Sequence, residues 1–157
     1  MITIQQERPD SPDAHMLIAE LEAYLDPLYP PESRHGLSIE QLVTENVIFF
    51  VIRVDGSAAG CVGLKFFDMP ESYAEVKRMY VAPQFRGQGL AKKLLDHASD
   101  VAMSRHITIL RLEAGIYQPE ALGLYEKIGF SKVSSFGNYT DDPLSVFYEK
   151  SLDDMRS

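Results

Sequence analysis

The chain has 157 residues, 45% apolar and 24% charged, with a net charge of −8 and one cysteine. This length suits one domain over residues 1–157 with a self-sufficient core. The acidic balance argues against a broad nucleic-acid surface, and no apolar run approaches the ~18–20 residues of a membrane span. The lone Cys61 rules out an intramolecular disulfide. The first residues, Met1 to Glu7, lack the basic start and apolar centre of a signal peptide, so a cytoplasmic protein is expected.

Weak alternation over Ile2, Thr3 and Ile4 predicts a first strand. Ser11-Pro12 reads as an N-cap followed by proline at the first helical position. Leu17, Ile18, Leu21, Tyr24, Leu25 and Leu28 then recur at helical spacing, and this helix should end before Pro30-Pro31. Ser38-Ile39-Glu40-Gln41 matches a capping box and opens a short second helix. Residues 47–52, Val-Ile-Phe-Phe-Val-Ile, predict a strand covered on both faces, and Asp55-Gly56 predicts a tight hairpin into a strand over 59–67. Cys61, inside that apolar strand, reads as a small buried hydrophobe. Further strands are predicted over 74–81, 107–113, 130–133 and 146–150. A long helix follows Gln88, and a short one runs from Pro119 to Lys127, closed by Gly129. Hairpins and crossovers alternate. The expected fold class is therefore α/β (α+β), with a mixed sheet and helices on both faces.

The stretch from Val81 to Ala91 carries the strongest chemical signal. A strand ends at Val81, Gly87 and Gly89 follow with Arg86 beside them, and a helix begins. A strand that turns through glycines into a helix gathers free backbone N–H groups at the positive end of the helix dipole. That spot suits phosphate. Side chains at the glycines would hold a ligand away from the backbone.

Gln84-x-x-Gly87-x-Gly89 resembles the acyl-CoA pyrophosphate motif of the GNAT superfamily of N-acetyltransferases. About thirty residues on, Ala121-Leu122-Gly123-Leu124-Tyr125-Glu126-Lys127-Ile128-Gly129-Phe130 is similar to that superfamily's second motif, A-x-x-x-Y-x-x-x-G-F. The resemblance runs from Val47 to about Lys150. It implies a mostly antiparallel sheet of acyl-CoA N-acyltransferase type, whose fourth and fifth strands splay apart. It also implies acetyl-CoA as cosubstrate. The pyrophosphate would rest on Gln84, Arg86, Gly87, Gln88, Gly89, Leu90 and Ala91, and the pantetheine arm would pair along Met79, Tyr80 and Val81. Gln118, where many members carry asparagine, still offers an amide to the cofactor.

For chemistry, the resemblance implies Tyr125 as general acid toward the leaving thiolate, and Glu75, in Ala74-Glu75-Val76, as general base. An amine of reference pKa about 10.4 is almost wholly protonated at pH 7, so acyl transfer needs a proton acceptor. Glu113, on the neighbouring strand, is the alternative base, and solvent the third. By the same resemblance the acceptor is walled by the loop at residues 28–35 and the segment at residues 136–139. Tyr29, Glu32, Glu113 and Tyr139 are then candidate acceptor contacts. Glu32 could hold a cationic group or Arg34 an anionic one, or either could be a solvated loop charge. His35, His97 and His106 lack metal-ligand spacing, so no metal is assigned.

The resemblance implies an acetyl-CoA-dependent N-acetyltransferase, and direct attack is expected, since no activated Ser or Cys argues for an acyl-enzyme. The expected partner is a small-molecule primary amine, with no nucleic acid or membrane. Acting alone or as a homodimer is left open. Acetylation of protein lysines or N-termini, and a catalytically silent acyl-CoA sensor, are the competing readings.

Overall fold

The computed structural model describes residues 1–152. A seven-stranded sheet has the order β1-β2-β3-β4-β5-β7-β6. The strands are β1 (Ile2–Glu7), β2 (Ile48–Val54), β3 (Ser57–Phe67), β4 (Tyr73–Val81), β5 (Ile109–Gly115), β6 (Ser131–Val133) and β7 (Ser145–Ser151). The helices are α1 (Pro12–Leu25), α2 (Ile39–Thr44), α3 (Leu90–Ser104) and α4 (Pro119–Lys127). Short 3₁₀ turns lie at Pro31–Ser33 and Pro83–Phe85.

The local signals act as their chemistry requires. Ser11 caps α1 by accepting from the Ala14 amide at 3.2 Å. Ser38 and Gln41 close a reciprocal capping box on α2. Asp55 and Gly56 both have positive φ, 49° and 85°, the conformation that folds β2 tightly onto β3. The strand expected over 107–113 lies two residues later, because Ile107 closes the turn after α3 with its amide on the Ala102 carbonyl.

Strand alternation divides the core between two helical layers. On β2, Phe49 and Val51 face α1 and α2 and pack with Leu17, Ile18, Leu21 and Leu42. Phe50 and Ile52 face the other way and pack with Leu90, Leu94, Leu95 and Ala98 of α3. Both faces of β2 are thus buried, and helices cover both sides of the sheet.

The central event in the fold is a parting of strands. β4 and β5 run parallel and pair only at Ala74–Leu110 and Glu75–Arg111. Beyond Glu75 they diverge, as the resemblance implies. β4 is also irregular there. Cys61 pairs with Tyr80 and Gly63 with Lys77, so three β4 steps oppose two on β3. Arg78, inside this bulge, has φ of 53°, rare for a residue with a side chain. Its carbonyl accepts from the fully buried Cys61 thiol at 3.3 Å.

Candidate active site

The gap between β4 and β5 opens into two joined cavities. One is a groove of about 310 Å³ whose walls include Met79, Tyr80, Val81, Gly87, Gly89 and Leu90. Gly87 and Gly89 have φ of 83° and 72°, which glycine adopts without strain. A Cβ built on either would meet no atom within 4 Å, so it would project into open space. Gly89 is the N-cap of α3 and supplies no side chain to the first-turn amides. Those amides remain available to an anion at the positive end of a 15-residue helix. The seat fits a phosphate ester. Arg86 and Ala91 line the groove, whereas Gln84 and Gln88 are exposed on the same turn and are not among its walls. The Arg86 guanidinium reaches back to the Val81 carbonyl at 3.4 Å.

The second cavity is smaller, about 120 Å³, and reaches from β4 and β5 to the loop after α1. Met79, Gln118, Ala121 and Tyr125 line both cavities and mark where they meet. Tyr125 is 7% exposed, on the inner face of α4. Burial, and then the Glu113 charge, push its phenol up to about 12, so it stays protonated at neutral pH.

Glu75 is 2% exposed on the wall of the smaller cavity. Its Oε2 accepts from the Tyr139 hydroxyl at 2.6 Å and pairs with Lys77 Nζ at 3.0 Å. Lys77 Nζ also donates to the Tyr139 hydroxyl at 2.7 Å, which closes a triangle. Burial first, and then the Glu75 charge, hold the Tyr139 phenol well above the usual range. Glu113 faces the same cavity and accepts from Ser145 Oγ at 2.7 Å. Desolvation raises it from the usual carboxylate range.

Tyr29, 6% exposed, ties the loop after α1 to the segment that leads into α4. Its hydroxyl donates to Gln118 Oε1 at 3.3 Å and accepts from the Tyr117 amide at 3.0 Å. Gly115 lies under its ring, and a Cβ there would overlap the hydroxyl. Glu32 is exposed on its 3₁₀ turn and lines neither cavity, the solvated alternative considered for it. Arg34 pairs with Asp26. Arg78 pairs with Glu22 and donates to the Leu37 carbonyl at 2.9 Å; burial pushes it down to about 10, so it is still a cation at neutral pH.

Sequence reasoning gave no role to Lys77, Arg78, Ser145 or the pair His35–Asp142, all at or beside the smaller cavity. Lys77 and Arg78 were legible only as neighbours of Glu75. The others depend on contacts between distant segments, and no local spacing announces them.

A splayed sheet with a phosphate seat beside a polar pocket defines an acyl-CoA-binding transferase. The sequence model of the Acetyltransferase (GNAT) family matches residues 14–130, and the chain belongs to that family of acetyl-CoA-dependent N-acetyltransferases. It is 41% identical over 151 residues to an IAA acetyltransferase of Azospirillum brasilense, covering 96% of this chain and 98% of that one. A crystal structure described as an acyl-CoA N-acyltransferase, from Klebsiella pneumoniae, superposes with a TM-score of 0.80 at 36% identity, covering 97% and 98% of the two chains. The PaiA N-acetyltransferase of Thermoplasma acidophilum, solved with coenzyme A, shares the fold at 22% identity and a TM-score of 0.74, covering 96% of this chain and 99% of that one. Among the described residues no helix is long and apolar enough to cross a membrane.

Proposed function

We propose that the chain transfers the acetyl group of acetyl-CoA directly to a small primary amine, with Glu75 as proton acceptor and Tyr125 as donor to the departing sulfur. One observation carries the reading. Tyr125 lies at the junction of the phosphate-seated groove and a small cavity whose walls carry the Glu75 and Glu113 carboxylates. Cofactor sulfur and acceptor nitrogen would meet there. The groove's glycine turn and the first-turn amides of α3 hold the pyrophosphate. The free edge of β4 at Met79, Tyr80 and Val81 takes the pantetheine arm as an added strand.

The acceptor amine enters as an ammonium, drawn by Glu75 and Glu113. Desolvated Glu113 has no cation paired directly with it among the described residues, and an arriving ammonium supplies one. Glu75 removes a proton, directly or across one water, and frees the lone pair. The smaller cavity favours a compact amine over a protein segment. The relative named for IAA agrees with a small-molecule acceptor.

Release of free thiol from acetyl-CoA, followed across a panel of small amines and lysine peptides, tests the reading. Turnover is expected with a small amine. Glu75→Gln should lower it by about 10²-fold near neutral pH, with part of the loss recovered at alkaline pH, where solvent deprotonates the amine. No turnover with any amine, despite tight acetyl-CoA binding, would identify a sensor instead.

A further inference from the structure

His35 and Asp142 are 107 residues apart in the chain, yet His35 Nε2 lies 3.1 Å from Asp142 Oδ2. His35 comes from the loop between α1 and α2, and Asp142 from the segment between β6 and β7. The carboxylate is fixed in its turn. The Leu144 amide donates to Asp142 Oδ1 at 2.9 Å, and Ser33 adds a further hydrogen bond. The backbone hydrogen bond from Leu144, foremost, holds Asp142 below the usual carboxylate range, so it remains an anion. An anionic partner keeps the imidazole proton on Nε2 and leaves the lone pair on Nδ1. The imidazole lines the acceptor cavity, and its ring meets Tyr139 edge-on at 5.6 Å. A base oriented by a third group, in a cavity built for an amine, is the arrangement of an activated proton acceptor.

The reaction itself calls for a second acceptor. An ammonium has three N–H protons and the product amide keeps one. One proton must leave before attack, and another after the N–C bond forms and as the C–S bond breaks. Of the two, one balances the thiol that departs and the other passes to solvent. Glu75 accounts for one, but its Oε2 already carries Tyr139 and Lys77. We infer that His35, held by Asp142, is a further catalytic residue of this site and takes up the other amine proton. His35, Glu75, Lys77 and Tyr139 also line a neighbouring cavity, which gives that proton a way out. The charged and titratable groups around the imidazole are Glu22 on α1, Tyr29 and Arg34 on the loop after it, Glu75, Lys77 and Arg78 on β4, Glu113 on β5, Tyr125 on α4, and Tyr139 and Asp142 beyond β6.

The inference rests on the acetyl-transfer reading, and its test separates the two. The kcat/KM of the full chain is measured against pH, with a working amine, for wild type, His35→Asn, Asp142→Asn, Glu75→Gln and the double variant His35→Asn/Glu75→Gln. Acetyl-CoA binding by calorimetry serves as the check on folding. His35→Asn should lose about 10²-fold near neutral pH and shift the acidic limb, with acetyl-CoA affinity unchanged. Asp142→Asn should lose about tenfold by releasing the tautomer, and the double variant should fall below either single one. Added imidazole should restore part of the rate to His35→Ala. Wild-type rate and an unmoved limb in His35→Asn would overturn the inference, while acetyl transfer by the wild type stood. If His35→Asn failed to bind acetyl-CoA, Asp142→Asn would decide, and its wild-type profile would be equally fatal. Absence of turnover in the wild type would reject the reading underneath.

Discussion

In the proposed reaction a phenol and a thiol meet at the sulfur, and their order of acid strength limits what Tyr125 can do. Its phenol is pushed up to about 12, whereas a thiol has a reference pKa near 8.5. Outright transfer from tyrosine to thiolate would run uphill by about 5 kcal/mol. In the proposed reaction Tyr125 therefore serves best as a hydrogen-bond donor to the charge that grows on sulfur, in a buried site where such a bond counts most. Tyr125→Phe keeps the ring and its contacts with Phe130 and Tyr148. We predict a fall in kcat of about 10²–10³-fold with acetyl-CoA affinity nearly unchanged. A wild-type kcat, with chemistry shown to be rate-limiting by single turnover, would leave Tyr125 as a packing residue only. Glu75 and Tyr125 were readable as candidates because each stands in a local pattern, Ala-Glu-Val and A-x-x-x-Y-x-x-x-G-F. His35 and Asp142 were not, because neither has a partner within reach along the chain, and only the loop crossing brings them together.

At the scale of elements, β4, its turn and α3 act as one device. The strand gives an unpaired edge after Glu75, the turn supplies left-handed glycines, and the helix brings uncapped amides. This device was legible as a unit, since glycine spacing and the change of period from strand to helix are both local. Its neighbour was less so. The divergence of β5 came only from the resemblance, and its observed bounds, Ile109–Gly115, reflect the turn that Ile107 closes after α3. Nor did spacing reveal why Gly115 ends β5, since the reason is the Tyr29 ring packed on it from 86 positions away. Gly87→Val places a branched side chain at a φ of 83°. That strains the turn and fills the open space above it. Each lost hydrogen bond to a charged group is worth roughly 1.5–3 kcal/mol. Acetyl-CoA affinity should fall by about tenfold to several hundredfold in calorimetry. Wild-type affinity in a folded variant would move the pyrophosphate off this turn.

For the molecule as a whole, polar groups sunk into a two-sided core govern the response to pH. The chain has eight tyrosines. Burial is the leading cause that pushes Tyr80 up to about 12, aided by its hydrogen bond to Glu20 at 3.1 Å, and Tyr125 reaches about 12 as well. Tyr139 and Tyr148 are raised further by burial and by hydrogen bonds to Glu75 and Glu126. In the unfolded chain these phenols ionise near 10. The fold thus keeps protons that the unfolded chain gives up. Stability from this source is complete below pH 10 and declines as pH climbs toward 12. Tyr125 alone accounts for about 2–3 kcal/mol of that decline, a large share of the 5–15 kcal/mol typical of a domain. We predict two phases in the tyrosinate absorbance. The later one should be a steep ionisation of the buried phenols that coincides with loss of the folded circular-dichroism signal. Urea midpoints should begin to fall above pH 10. A single phase near 10 from all eight, with the fold intact, would mean that Tyr80 and Tyr125 reach solvent, and the donor role assigned to Tyr125 would lose its buried setting.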